Sequence, residues 1–180
     1  MLPPGHIAAG YLVGRAVLHL GHPDLSIEQE RPLLMLGCFF AFAPDFDFFY
    51  VFFKEKGFII KKGDINHRKL ISHAPVLWLI AGLIIYGLSD DVFWQYFGLL
   101  LWLCSWSHFL MDSIQHGVMW LWPFTNRSFA LKDPDIKDPH FPATGFLSFW
   151  FLFVKHYAER IRWTFYAEVT LIIISLWFLI

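Results

Sequence analysis

Residues 92–124 read VFWQYFGLLLWLCSWSHFLMDSIQHGVMWLWPF. The first part, 92–111, is an apolar run of the length that crosses a bilayer, about 20 residues. Its end carries His108, Asp112 and His116 at intervals of four. On a helix that spacing makes one stripe. Polar groups in such a run are costly and need a reason. Neutral imidazoles and carboxylates are ligands for Zn²⁺ and related divalent ions. A polar helix end, with histidine at headgroup depth and Asp112 in a cap or ion pair, accounts for the same three residues more plainly. The rest of the chain has to decide between the two.

The composition places that stretch in a membrane setting. Of 180 residues, 57% are hydrophobic and only 16% charged, against about a quarter charged in an ordinary soluble domain. The net charge of -1 lacks the basic excess of a nucleic-acid binder, so no nucleic-acid partner is expected. Further candidate spans are 33–53, 70–88 and 164–180, with a shorter helix at 7–20 where Gly10 and Gly14 suit close helix packing. Residues 146–154 are apolar but too short to span, and read as interfacial or re-entrant. The start, MLPPGH, has no basic n-region and does not read as a cleavable signal. Cys38 and Cys104 lie in apolar runs and suggest no disulfide framework. Cys104, one turn before His108, reads as an inert buried thiol rather than a soft ligand. The expected fold is therefore an all-α, polytopic bundle of about four to five spanning helices with a short N-terminal helix, in one domain over 1–180.

Basic residues orient that bundle. Lys54, Lys56, Lys61, Lys62, Arg68 and Lys69 cluster in one loop, and a second basic group lies within 112–163. The turn at 89–91 has Asp90 and Asp91 and no basic residue. The positive-inside rule then puts the two basic segments in the cytoplasm. On this topology His6, Asp45, Asp47, His67, His73, His108, Asp112 and His116 all fall on the cytoplasmic side. The rule used none of them, so their convergence is a separate indication of one site.

Magnitudes make the aspartates of 33–53 hard to set aside. Each Asp at a bilayer centre costs roughly 2.5–3.5 kcal/mol, while the twelve Leu, Phe and Val of that run return roughly 4–7 kcal/mol together. Two central aspartates would cancel the gain, so they need the interface, a proton or a partner. On a regular helix Asp45 and Asp47 point to nearly opposite sides. A break at Pro44 lets both face inward, as backbone around a polar cavity allows.

The segments PPGHIAAG, APDFDFF, NHRKLISHAP and SHFLMDSIQHGVMWLWPF resemble, in order, the signatures of the inner-membrane metal-dependent hydrolase family. The likeness covers about residues 3–125. More distantly, it is similar to the all-helical sites of zinc-dependent phospholipase C. The resemblance implies a multi-pass protein of the inner membrane whose metal candidates are His6, Asp45, His67, His73, His108 and Asp112. His116 either joins them or lines the entrance. Asp47 is then a ligand, a partner of a ligating histidine or a general base, and Arg68 either clamps an anionic oxygen or anchors at headgroups. The implied chemistry is hydrolysis assisted by a divalent ion, Zn²⁺ first and Mn²⁺ next. A phosphoester or lipid at the cytoplasmic face is the expected substrate class, and membrane lipid the expected partner. A transporter that carries an ion or protons on the same cluster is the alternative, and a scaffold with purely structural hydrogen bonds a third.

Overall fold

Prolines and polar caps set where the helices begin. Pro3 and Pro4 occupy the first turn of α1 (Pro3–Gly21), where a missing N–H costs nothing. The helix closes at His22, in the left-handed region at φ 43°, with its N–H donating to Leu18 O. Ser26 precedes α2 (Ile27–Phe42), and Gln29 reaches back to accept the Ser26 N–H at 3.0 Å. Pro44 ends α2 in a 3₁₀ turn over Ala43–Asp45, and α3 (Phe46–Glu55) follows. Two more 3₁₀ turns, His67–Lys69 and Ile71–His73, lead into α4 (Pro75–Leu88). Asp91 caps α5 (Val92–Asp112) by accepting the Trp94 N–H at 3.3 Å. Helices α6 (Phe146–Arg160) and α7 (Arg162–Trp177) complete the chain. This computed structural model describes residues 2–55, 67–114, 117–131, 146–160 and 162–179. Among them the β content is one isolated bridge, Val118 to Phe129.

The core lies where α1, α2 and α5 meet. Leu18, Leu33, Phe40, Ala41, Leu100 and Cys104 form its buried cluster. Gly10 brings α1 against α2: a Cβ there would sit 2.5 Å from both Ala41 Cβ and Gly37 O. The close approach expected of Gly10 is thus observed. The Cys104 thiol is buried and contacts Gly10 O at 3.5 Å, which seals α1 to α5. Helix α4 packs along α5, and α7 packs along α1.

The all-α architecture matches the sequence expectation, and its spans need correction. No helix among the described residues is long and apolar enough to cross a membrane. The 33–53 run is divided by the Pro44 turn into α2 and α3. The 70–88 run starts as a turn, so its helix has 14 residues, about 21 Å against a hydrocarbon core of about 30 Å. Helix α7 has 16 residues, about 24 Å. Helix α5, with 21 residues, has the length, but Gln95, Ser105, Ser107 and His108 dilute its apolar character. Residues 146–154 belong to the longer α6. Residues 132–145 lie outside the described residues, as do Lys56, Lys61 and Lys62.

Candidate functional site

Three helix ends and two turns meet at one place. His6 comes from the first turn of α1, Asp45 from the turn after α2, and Asp47 from the start of α3. His73 comes from the turn before α4, and His108 and Asp112 from the last turns of α5. His6, His73 and His108 are fully buried. Asp45, 16% exposed, is the most accessible of the three carboxylates.

The Pro44 break has the effect anticipated from the sequence. Asp45 and Asp47 both face His73. Asp47 Oδ2 is 2.6 Å from His73 Nδ1, and Asp45 Oδ1 is 3.6 Å from His73 Nε2. Ser72 Oγ donates to the same Asp47 oxygen at 2.6 Å, and Trp78 Nε1 pins the turn by donating to Ser72 O at 2.8 Å. A buried carboxylate that already receives a hydroxyl takes the imidazole N–H as well. His73 Nδ1 is therefore the donor.

His108 is held in the same sense. Its Nδ1 lies 2.9 Å from Ala41 O. A carbonyl has no proton to give, so Nδ1 carries it. In the neutral ring Nε2 then presents its lone pair. That atom is 3.7 Å from Asp45 Oδ1 and 3.8 Å from Asp112 Oδ2. Fixing one ring nitrogen by a carboxylate or carbonyl, and aiming the other inward, is how proteins prepare histidines for metal ions.

His6 stacks on His108 with ring centroids 3.9 Å apart, and its Nε2 is 3.5 Å from Asp112 Oδ1. Arg68 Nε donates to Asp112 Oδ2 at 3.2 Å. Burial opposes the Asp112 charge, but the positive charges around it, Arg68 among them, outweigh that and hold the carboxyl well below its usual pKa.

Two groups of donors have the spacing of a metal shell. One is Asp45, His73 and His108; the other is His6, His108 and Asp112. Within each group the ligand atoms lie within 4.8 Å of one another. The closest pairs, 3.5–3.8 Å, approach the ~3.4 Å edge of a tetrahedron with bonds of about 2.1 Å. The two groups share His108, whose neutral ring offers one inward lone pair.

The structure thus brings together His6, Asp45, Asp47, Arg68, His73, His108 and Asp112. The backbone of His67 is in the turn beside Arg68, while its side chain and the whole of His116 lie outside the described residues. Sequence reasoning missed the Ser72 hydroxyl and the Ala41 carbonyl. Ser72 had a signal, since it directly precedes His73; Ala41 had none, because any residue supplies a carbonyl.

An all-helical chain with a buried His/Asp cluster at converging helix ends is the class that fold and site define. The chain belongs to the YdjM inner membrane protein family, whose model matches residues 1–180. No curated protein and no solved structure matches it. The family match agrees with the inner-membrane setting expected from the sequence.

Proposed function

We propose that this chain is a membrane-bound, metal-dependent hydrolase that holds one divalent ion, Zn²⁺ first and Mn²⁺ next, among His6, Asp45, His73, His108 and Asp112. The observation that carries this reading is the orientation of the two histidines. The Nε2 atoms of His73 and His108 both face Asp45 Oδ1, at 3.6 and 3.7 Å, while both Nδ1 atoms are committed elsewhere. Lone pairs and a carboxylate oxygen that face one another repel unless a proton or a metal cation lies between them. The donor set, imidazole nitrogens with carboxylates, is that of Zn²⁺ or Mn²⁺.

Bound there, the ion would acidify a water and polarise an ester oxygen. The protein's own groups do the rest. Asp47, through its bonds to His73 and Ser72, takes the orienting role among the three open to it. Arg68, 17% exposed and paired with Asp112, is a cation at the rim of the cluster, suited to an anionic ester oxygen. Delivery of the donors from helix ends, not helix middles, favours a site at the membrane face over a mid-bilayer transport site. A phosphoester or a lipid headgroup suits that depth. Large apolar side chains exposed on α2, α4 and α7, such as Met35, Ile84 and Ile173, support a multi-pass embedding with those faces against lipid.

Elemental analysis of detergent-purified wild type beside His108→Ala and Asp112→Ala tests the ion. Wild type is expected to carry close to one ion per chain and the variants much less. Equal, near-zero metal in all three after reconstitution with each candidate ion removes the site. A screen of phosphoesters and phospholipids with the loaded protein tests the reaction. Bound metal with no turnover, and metal-dependent ion flux in liposomes, replaces hydrolase with transporter.

A further inference from the structure

Among the three central histidines, His6 is held differently. His73 has Asp47 on its Nδ1, and His108 has the Ala41 carbonyl. Neither ring nitrogen of His6 makes a hydrogen bond among the described residues. Its position therefore depends on the ring stack with His108, the 3.5 Å contact of its Nε2 with Asp112 Oδ1 and where the first turn of α1 lies.

That turn is held by α7. Glu168 is buried, 2% exposed, and its Oε1 accepts the Leu2 N–H at 2.6 Å across 166 residues of sequence. A carboxylate at a helix N-terminus meets unpaired N–H groups and the positive end of the helix dipole. Glycine leaves room for the contact: a Cβ on Gly5 would come within 2.9–3.0 Å of Glu168 Cγ, Cδ and Oε1, so the Glu168 side chain would have to shift. Farther along, Tyr11 OH donates to Phe178 O at 3.1 Å. Helix α7 thus braces α1 at two points, and the first is one turn from His6.

We infer that Glu168 is a positioning residue for the candidate metal site: by clamping the start of α1 it sets His6 against His108 and Asp112. The inference rests on the proposed metal reading. It assigns a role to a helix outside the cluster and to a glutamate that touches none of the ligands named above.

The test is a double-mutant cycle on Co²⁺ affinity in the full-length protein in detergent. His6→Ala and Glu168→Ala are each expected to weaken binding by about 10–100-fold. The double variant is expected to bind no worse than His6→Ala alone, because both changes remove the same ligand. Glu168→Gln keeps an oxygen for the Leu2 N–H and is expected to restore most of the affinity and the wild-type Co²⁺ absorption spectrum. Gly5→Ala displaces the carboxylate without deleting it and should show the same dependence on His6, so the answer does not hang on one variant folding. Losses that add in the double variant overturn the inference, since a general packing role would act independently of His6. The His6 imidazole resonance of the metal-free protein separates the two readings. If wild type binds no Co²⁺ yet Glu168→Ala moves that resonance, the metal site falls and the clamp stands. If the resonance stays in place, the clamp falls.

Discussion

The two sides of the cluster are organised by different forces. On the Asp45–His73–His108 side, hydrogen bonds fix each ring: the Asp47 carboxylate and Ser72 hydroxyl on one, a main-chain carbonyl on the other. On the His6–Asp112 side, charge and packing do it: Arg68 on Asp112, the stack of His6 on His108, and Glu168 on the start of α1. Directional bonds give a histidine one tautomer and one aim. Charges and stacks hold a group near its place and let it adjust. We expect the first side to determine whether an ion binds, and the second to tune how tightly.

His108→Ala is the most damaging single change on this view, because His108 is shared by both donor groups. Metal content by elemental analysis should fall from about one per chain to background; a loss no greater than that of His6→Ala would break the division.

Asp47→Asn comes next. The amide keeps the shape but removes the charge that fixes His73, and metal affinity should fall by about 10–100-fold. Competition with a fluorescent chelator measures it. Affinity unchanged with turnover down about 10²–10⁴-fold would instead make Asp47 a general base.

Acidity acts on the whole cluster in one direction. Ligating imidazoles must be deprotonated, so ion binding releases protons. Burial lowers the His73 pKa, but the adjoining Asp45 and Asp47 carboxylates raise it to about 9, so affinity should decline as pH falls below that value. A pH series of Zn²⁺ titrations shows it; flat affinity between pH 8 and 5.5 would argue against histidine ligands.

The smallest effect is expected from Ser72→Ala. It removes one hydrogen bond to Asp47, worth about 0.5–1.5 kcal/mol, or several-fold in affinity. An effect as large as that of Asp47→Asn would mean the hydroxyl, not the carboxylate, orients His73.

Much of this was legible in residue types and their positions relative to the ends of apolar runs. His6, Asp45, His73, His108 and Asp112 stood out because polar groups there are expensive, and the structure places them together. The break at Pro44 was legible too, since proline cannot continue the ladder of α2. Helix lengths were not: counting apolar residues from 33 to 53 treats as continuous what Pro44 divides, and counting from 70 includes the turn that carries His73. The Ala41 carbonyl has no sequence signature. Glu168 was hidden differently. It sits in the apolar 164–180 run as a lone acid, and its partner is a backbone N–H 166 residues away, a pairing that only the packing of α7 on α1 creates.

The two thiols give the molecule an internal gauge. Cys104 is sealed at the seam where α1 meets α5, its sulfur on Gly10 O, while Cys38 on α2 is only partly covered. A small alkylating reagent should modify Cys38 before Cys104, which reacts only when α1 lifts away, taking His6 with it. The ratio of the two labelling rates would therefore report, without any substrate or ion, how often α1 separates from α5.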